Sequence, residues 1–206
     1  MMTSGTQLDP RQTALIIVDL QNDFVSEGGA YHRGGAASDA ARALPLRVAP
    51  VARVLKQRGG FVAASQFTLW PDAQGEPMIS PHLRQLRPFL RRGDFVAGSN
   101  GHATVAALDD LVDVSVWKVA YSAFFNTQLD WVLRRAGIEV VAIGGIVTNG
   151  GVASTARDAH MRDYRVLVLG DGCAASTQAA HDAALADLCT VGEVTTCEAF
   201  QSRLGA

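Results

Sequence analysis

Apolar residues along the chain form short runs separated by stretches of helical spacing. ALIIVDL (14–20), FVAASQF (61–67), the VVAI run from Val140 and YRVLVLGD (164–171) are apolar almost throughout, the pattern of strands buried on both faces. VDVSVWK (112–118) alternates and predicts a further strand. The spacing predicts a helix from Ser38 or Asp39 to about Arg58, with Leu46, Val48, Val51 and Leu55 near one face. Pro45 and Pro50 imply that it starts late or is split, and Gly59–Gly60 stops it. A second helix follows a cap at Asn126 or Thr127, carries Leu129, Val132 and Leu133 inward, and stops at Gly137. A third runs from about 151 to 163 with Val152, Ala156, Ala159 and Met161 inside, and a fourth from Thr177 or Gln178 to about Leu188. A short edge strand and a helix over 198–204 close the chain.

The remaining stretches are weaker. Residues 1–12 read as a flexible or draped leader, 21–38 as a Gly-rich loop suited to a rim or lid, Asp94–Gly98 as a short edge strand, and 105–111 as a short helix or turn. Segment 68–94 holds four of the 7 prolines and reads as irregular surface with room for one short helix. Apolar strands alternating with helices predict an α/β fold: one domain over 1–206, three α/β/α layers, and a central, mostly parallel, Rossmann-like sheet.

Composition narrows the function. With 206 residues, 48% of them hydrophobic and 18% charged, the chain can bury a sizeable core. A net charge of −2 gives no reason to expect nucleic acid, whose binding rests on clustered Lys and Arg. The apolar runs are too short to span a bilayer, so no membrane partner is expected, and no signal-peptide core is visible. Cys173, Cys189 and Cys197 are odd in number and lack ligand spacing, which fits a reducing cytoplasm and packing roles. His32, His82, His102, His160 and His181 are scattered, so no metal and no cofactor are expected.

Chemistry gathers at strand ends. VVAIGGIVTNGGVASTARD (140–158) reads as strand, Gly-rich turn and helix start, the place where open α/β sheets hold ligands and where unpaired N–H groups favour an anion. Its bland reading is a tight turn. Asp19 ends the first strand and Lys118 ends the alternating one. In a parallel sheet these ends share one edge, so Asp19, Lys118 and the Gly150–Gly151 turn can converge, although each alone also reads as a structural residue. Gln21, Phe24, Phe67, Trp70, Tyr121 and Phe125 are candidate pocket walls, with ordinary core packing as the alternative. Arg84, Arg87, Arg91 and Arg92 form a basic run, read as a solvated face or as a clamp for a substrate carboxylate.

Over nearly its whole length the sequence resembles the isochorismatase-like (cysteine hydrolase) family, in ALIIVDLQNDF, WKVAYSAFFNTQLDWVLRRAGI, GGIVTNGGVASTARDA and YRVLVLGDGCAAS. The resemblance implies a three-layer α/β/α hydrolase with catalytic Asp19 and Lys118, and it places the family's nucleophilic cysteine at Gly151. Thr148, Asn149 and Gly150 would then border the substrate, and a cis peptide would join Ile146 to Val147. SQFTLWPDA lacks the Asp/His/His metal cluster of nicotinamidases, and Thr148–Asn149 is in the style of the thiol-bearing amidases. Gly151 removes the thioester route and leaves room where the thiol would sit, as in the true isochorismatase branch.

On this reading Asp19 is a general acid toward an isochorismate-like vinyl ether or another small carboxylate-bearing molecule. Lys118 orients the acid and is available to a substrate carboxylate, as are the Gly150 and Gly151 N–H groups. The alternatives are an amidohydrolase lineage whose cysteine has been replaced by Gly151, and a non-catalytic ligand-binding homologue. A homo-oligomer is expected from the apolar-rich irregular segment and from the family's habit.

Overall fold

The computed structural model describes residues 6–205. Six strands form one sheet: β1 (Thr13–Val18), β2 (Phe61–Phe67), β3 (Val114–Lys118), β4 (Val140–Ile146), β5 (Arg165–Ala174) and β6 (Glu193–Thr195). Their order is β3-β2-β1-β4-β5-β6 and every neighbouring pair is parallel. The helices are α1 (Asn22–Val25), α2 (Ala30–Arg33), α3 (Asp39–Gln57), α4 (Pro81–Leu86), α5 (Ala106–Asp109), α6 (Leu129–Arg135), α7 (Ala153–His160), α8 (Gln178–Leu188) and α9 (Cys197–Arg203).

The period of two along β1 divides the core. Leu15 and Ile17 face α3 and α9, meeting Leu44, Val48, Leu55 and Phe200. Ala14, Ile16 and Val18 face the other way, toward Leu129 and Leu133 of α6 and Ala156 of α7. Each fully buried Leu or Ile contributes about 1.5–3 kcal/mol, which explains why these strands tolerate so few polar residues.

Several boundaries differ from the sequence reading. Helix α3 starts on its Ser38 cap and runs unbroken through both prolines. Pro45 is buried among the core residues of that helix, and the burial offsets its missing hydrogen bond. Pro50 lies on the solvent side, where water can satisfy the Leu46 carbonyl it leaves unpaired. Leu46 itself is 78% exposed and not on the inner face; Leu44 takes that place. Asp94–Gly98 is a turn, because Gly93, Phe95 and Gly98 all have positive φ. Phe95 is drawn inward by its N–H bond to Asp23 Oδ2 (2.7 Å).

A π-helical turn, Thr148–Val152, precedes α7, which ends at His160 and leaves Met161 exposed. The cap of α6 is Gln128, with the Thr127 hydroxyl accepting from the Leu129 N–H. Of the expected leader, residues 1–5 lie outside the described residues. Leu8 is buried and its N–H donates to the Arg203 carbonyl (2.8 Å), so this part is packed against α9. Among the described residues no helix is long and apolar enough to cross a membrane.

Candidate active site

Chain order reverses between β1 and β4, and the crevice beyond their carboxyl ends is where a doubly wound sheet binds its ligand. Asp19 follows β1 and adopts φ +56, which turns the chain off the sheet. Its carboxylate is buried. Oδ2 meets Lys118 Nζ at 2.7 Å, and Oδ1 accepts from the Ser65 hydroxyl at 2.8 Å. Lys118 ends β3, two strand spacings from β1, or about 9.5 Å. Its long side chain reaches across β2, with Nζ 5.9 Å from the centre of the Phe67 ring.

Lys118 is not available to a substrate. An ammonium has three donors. Those of Lys118 go to Asp19 Oδ2, the Ala120 carbonyl (2.9 Å) and the Tyr121 carbonyl (3.0 Å). The lysine therefore holds the Asp19 carboxylate and the turn after β3. Burial raises the proton affinity of Asp19 above the usual carboxylate range, while Lys118 and Ser65 oppose this without cancelling it.

Gly151 faces this pair from the π-helical turn, and the Ile146–Val147 peptide bond before the turn is cis. A side chain at this position would be crowded. A Cβ on Gly151 would lie 2.8 Å from the Ile146 carbonyl oxygen, 3.0 Å from Val18 Cγ1 and 3.5 Å from Asp19 Oδ2. The Gly150 N–H is likewise unavailable to a ligand, since it donates to the Val147 carbonyl at 2.9 Å.

Above the pair lies a cavity of about 330 Å³ bordered by Asp19, Lys118, Gly151, Phe24, Phe67 and Tyr121. Ile146 and Val147 border it as well, and it adjoins a second, more polar hollow that Asn149 and Gly150 line. Four expected pocket residues lie elsewhere. Gln21 is fully buried and braces β2: its Nε2 donates to the Phe67 and His102 carbonyls (3.0 and 2.8 Å), and its Oε1 accepts from the Phe67 N–H (2.7 Å). Trp70 lies edge-on to Trp117 near the surface. Phe125 is half exposed and borders neither hollow. Thr148 turns away, its hydroxyl 2.8 Å from His181 Nδ1.

Sequence reasoning did not single out Ser65, Tyr31 or the outer wall, and it left Arg87 between a solvated face and a clamp. Ser65 is the one hydroxyl in FVAASQF, a polar residue between alanines in a buried strand, and that was its signal. Tyr31 and Arg87 line both hollows, with Arg87 Nε donating to the Tyr31 hydroxyl at 3.0 Å. Arg87 is the one member of the basic run that reaches the site; Arg92 pairs with Glu76 outside. His82, Leu83, Leu86 and Leu90 complete the outer wall. His82, Leu83 and Leu86 lie in α4 and Leu90 just beyond it; so short a helix shows no periodicity to mark its cavity side. Among the described residues no cluster of three or more His, Cys, Asp or Glu is arranged to hold a metal ion.

A doubly wound sheet with a buried carboxylate–lysine pair beneath a small-molecule cavity at its switch point is the frame of a small-molecule enzyme. Residues 13–199 match the isochorismatase domain, and the chain belongs to that family of hydrolases. It is 34% identical to the ureidoacrylate amidohydrolase RutB of Methylobacterium radiotolerans, covering 96% of this chain and 81% of that one. It is 35% identical to the RutB of Caulobacter vibrioides, covering 96% and 93%. Among solved structures, a cysteine hydrolase from Pseudomonas syringae pv. phaseolicola superimposes with a TM-score of 0.82 at 25% identity, over 98% of each chain.

Proposed function

We propose that this hydrolase acts by proton transfer from Asp19, without a thiol nucleophile, on a small carboxylate-bearing molecule. An isochorismate-like vinyl ether is the concrete substrate. The observation that carries this reading is the Asp19–Lys118 pair facing Gly151 across the cavity floor, at the position where the family resemblance puts the nucleophilic cysteine. None of the three cysteines borders the cavity. Burial pushes the Cys173 thiol well up and Cys197 to about 12, whereas a nucleophilic cysteine needs a lowered value.

In the proposed reaction Asp19 gives its proton to the terminal CH2 carbon of the enol ether. The resulting oxocarbenium ion is captured by water, and the hemiketal collapses to pyruvate and the ring alcohol. The proton lost by the captured water returns to Asp19, so one water is consumed. Burial keeps the acid protonated to higher pH than in water. Arg87, which has no carboxylate partner among the described residues, receives the substrate carboxylate in place of the committed Lys118.

Amide hydrolysis is the second reading, favoured by whole-chain kinship to the ureidoacrylate amidohydrolases. Here Asp19 would act as a base on water. Incubation with isochorismate separates the two. Pyruvate release that vanishes in Asp19→Asn supports the first reading. No pyruvate, with ammonia released from a ureido or carboxamide substrate, overturns it.

A further inference from the structure

We propose that Ser65 is a positioning residue for the catalytic acid: its hydroxyl holds Asp19 Oδ1 so that Oδ2 alone meets Lys118 and borders the cavity. This rests on the reading of Asp19 as the acid. Two bonds join the residues. The Asp19 N–H donates to the Ser65 carbonyl (3.1 Å), and the Ser65 Oγ donates to Asp19 Oδ1 (2.8 Å). Strand register makes this possible, because Val18 lies opposite Ser65 and places the next residue of β1 above it. Ser65 is 1% exposed and its hydroxyl has no other partner among the described residues, so no second task for the hydroxyl is seen there.

The consequence is chemical. Without the hydroxyl, a carboxylate opposite one ammonium can rotate until both oxygens share Nζ, which withdraws Oδ2 from the Gly151 side of the cavity. A hydrogen bond to the charged form also lowers a group's proton affinity, so its loss raises that affinity. The other charged or titratable groups around Asp19 are Lys118 on β3, Tyr31 on α2, His82 on α4 and Arg87 just after it, with Tyr121 on the turn after β3. None of these is altered by a change at Ser65.

The test is a carbon-13 carboxyl titration of Asp19 in the full chain, assigned with Asp19→Asn. Ser65→Ala is expected to move the midpoint up by roughly one pH unit or more, the size associated with a hydrogen bond to a buried charge. Ser65→Thr, which keeps the hydroxyl, should return it close to wild type. If Ser65→Ala does not fold, Ser65→Cys, a weaker donor of similar shape, should show a smaller upward shift. An unmoved midpoint in the folded variant, or an equal shift in Ser65→Thr, overturns the proposal. Where isochorismate is turned over, the falling alkaline limb of kcat should move up with the titration while KM stays. Absence of turnover refutes the vinyl-ether reading and leaves the titration result standing by itself.

Discussion

Replacing Gly151 by alanine distinguishes a glycine that is merely permitted from one around which the site has closed. Gly151 does not have a positive φ, so its backbone accepts an L-residue. In open surroundings Gly→Ala would then stabilise the chain by about 0.4–1 kcal/mol, because it restricts the unfolded state. Here the new Cβ would meet the Ile146 carbonyl oxygen at 2.8 Å and Val18 Cγ1 at 3.0 Å. The first contact is with backbone and cannot be relieved by a rotamer change. Overpacking of this kind costs about 1–3 kcal/mol, and for a domain of this size each kcal/mol lowers Tm by roughly 2–4 °C. Thermal denaturation followed by circular dichroism should show Gly151→Ala melting about 3–10 °C below wild type. Gly151→Cys should melt at least as low, and restoring the thiol alone should give little amidase activity. A Tm for Gly151→Ala equal to or above that of wild type would refute the crowding argument.

The other predictions concern charged groups and their partners. The folded Asp19 binds its proton more tightly than the unfolded chain does, so its contribution to stability is fully present below the unfolded carboxylate pKa and is lost as pH rises through the raised folded value. Melts across pH 4–8 should therefore show the stability of wild type relative to Asp19→Asn shrinking as pH increases; a difference that grows with pH would contradict this. Arg87→Ala is expected to raise KM for isochorismate about tenfold, about 1.4 kcal/mol, with little change in kcat. Tyr31→Phe should raise KM less, because its ring still packs on Phe24 and Phe89 and only the bond to Arg87 is lost. A fall in kcat alone would place Arg87 elsewhere in the mechanism.

The parallel sheet and the Asp19–Lys118–Gly151 convergence were legible because they depend on period and direction. Apolar runs marked the strands, and parallel strands put their ends on one edge. What was not legible depended on side-chain direction. Gln21 and Thr148 have the right chemistry in the right loops, yet their hydrogen bonds run to Phe67, His102 and His181 and not into the cavity. Lys118 was correctly placed, but that all three of its protons are committed is visible only once the turn after β3 is folded. The two prolines misled because local propensity was outweighed by the burial of α3 along its apolar face.

The outer wall of the cavity comes from the connection between β2 and α5, whereas Asp19, Lys118 and Gly151 sit at or just beyond the ends of β1, β3 and β4. Admission of a molecule and the chemistry done on it are thus written in separate parts of the chain. Insertions or exchanges around Leu83, Leu86 and Arg87 can change which molecules enter without disturbing Asp19 or the sheet that carries it. That separation gives the scaffold evolvability: under the proposed reading, substrate range can drift in the connection between β2 and α5 while the Asp19–Lys118 pair is kept.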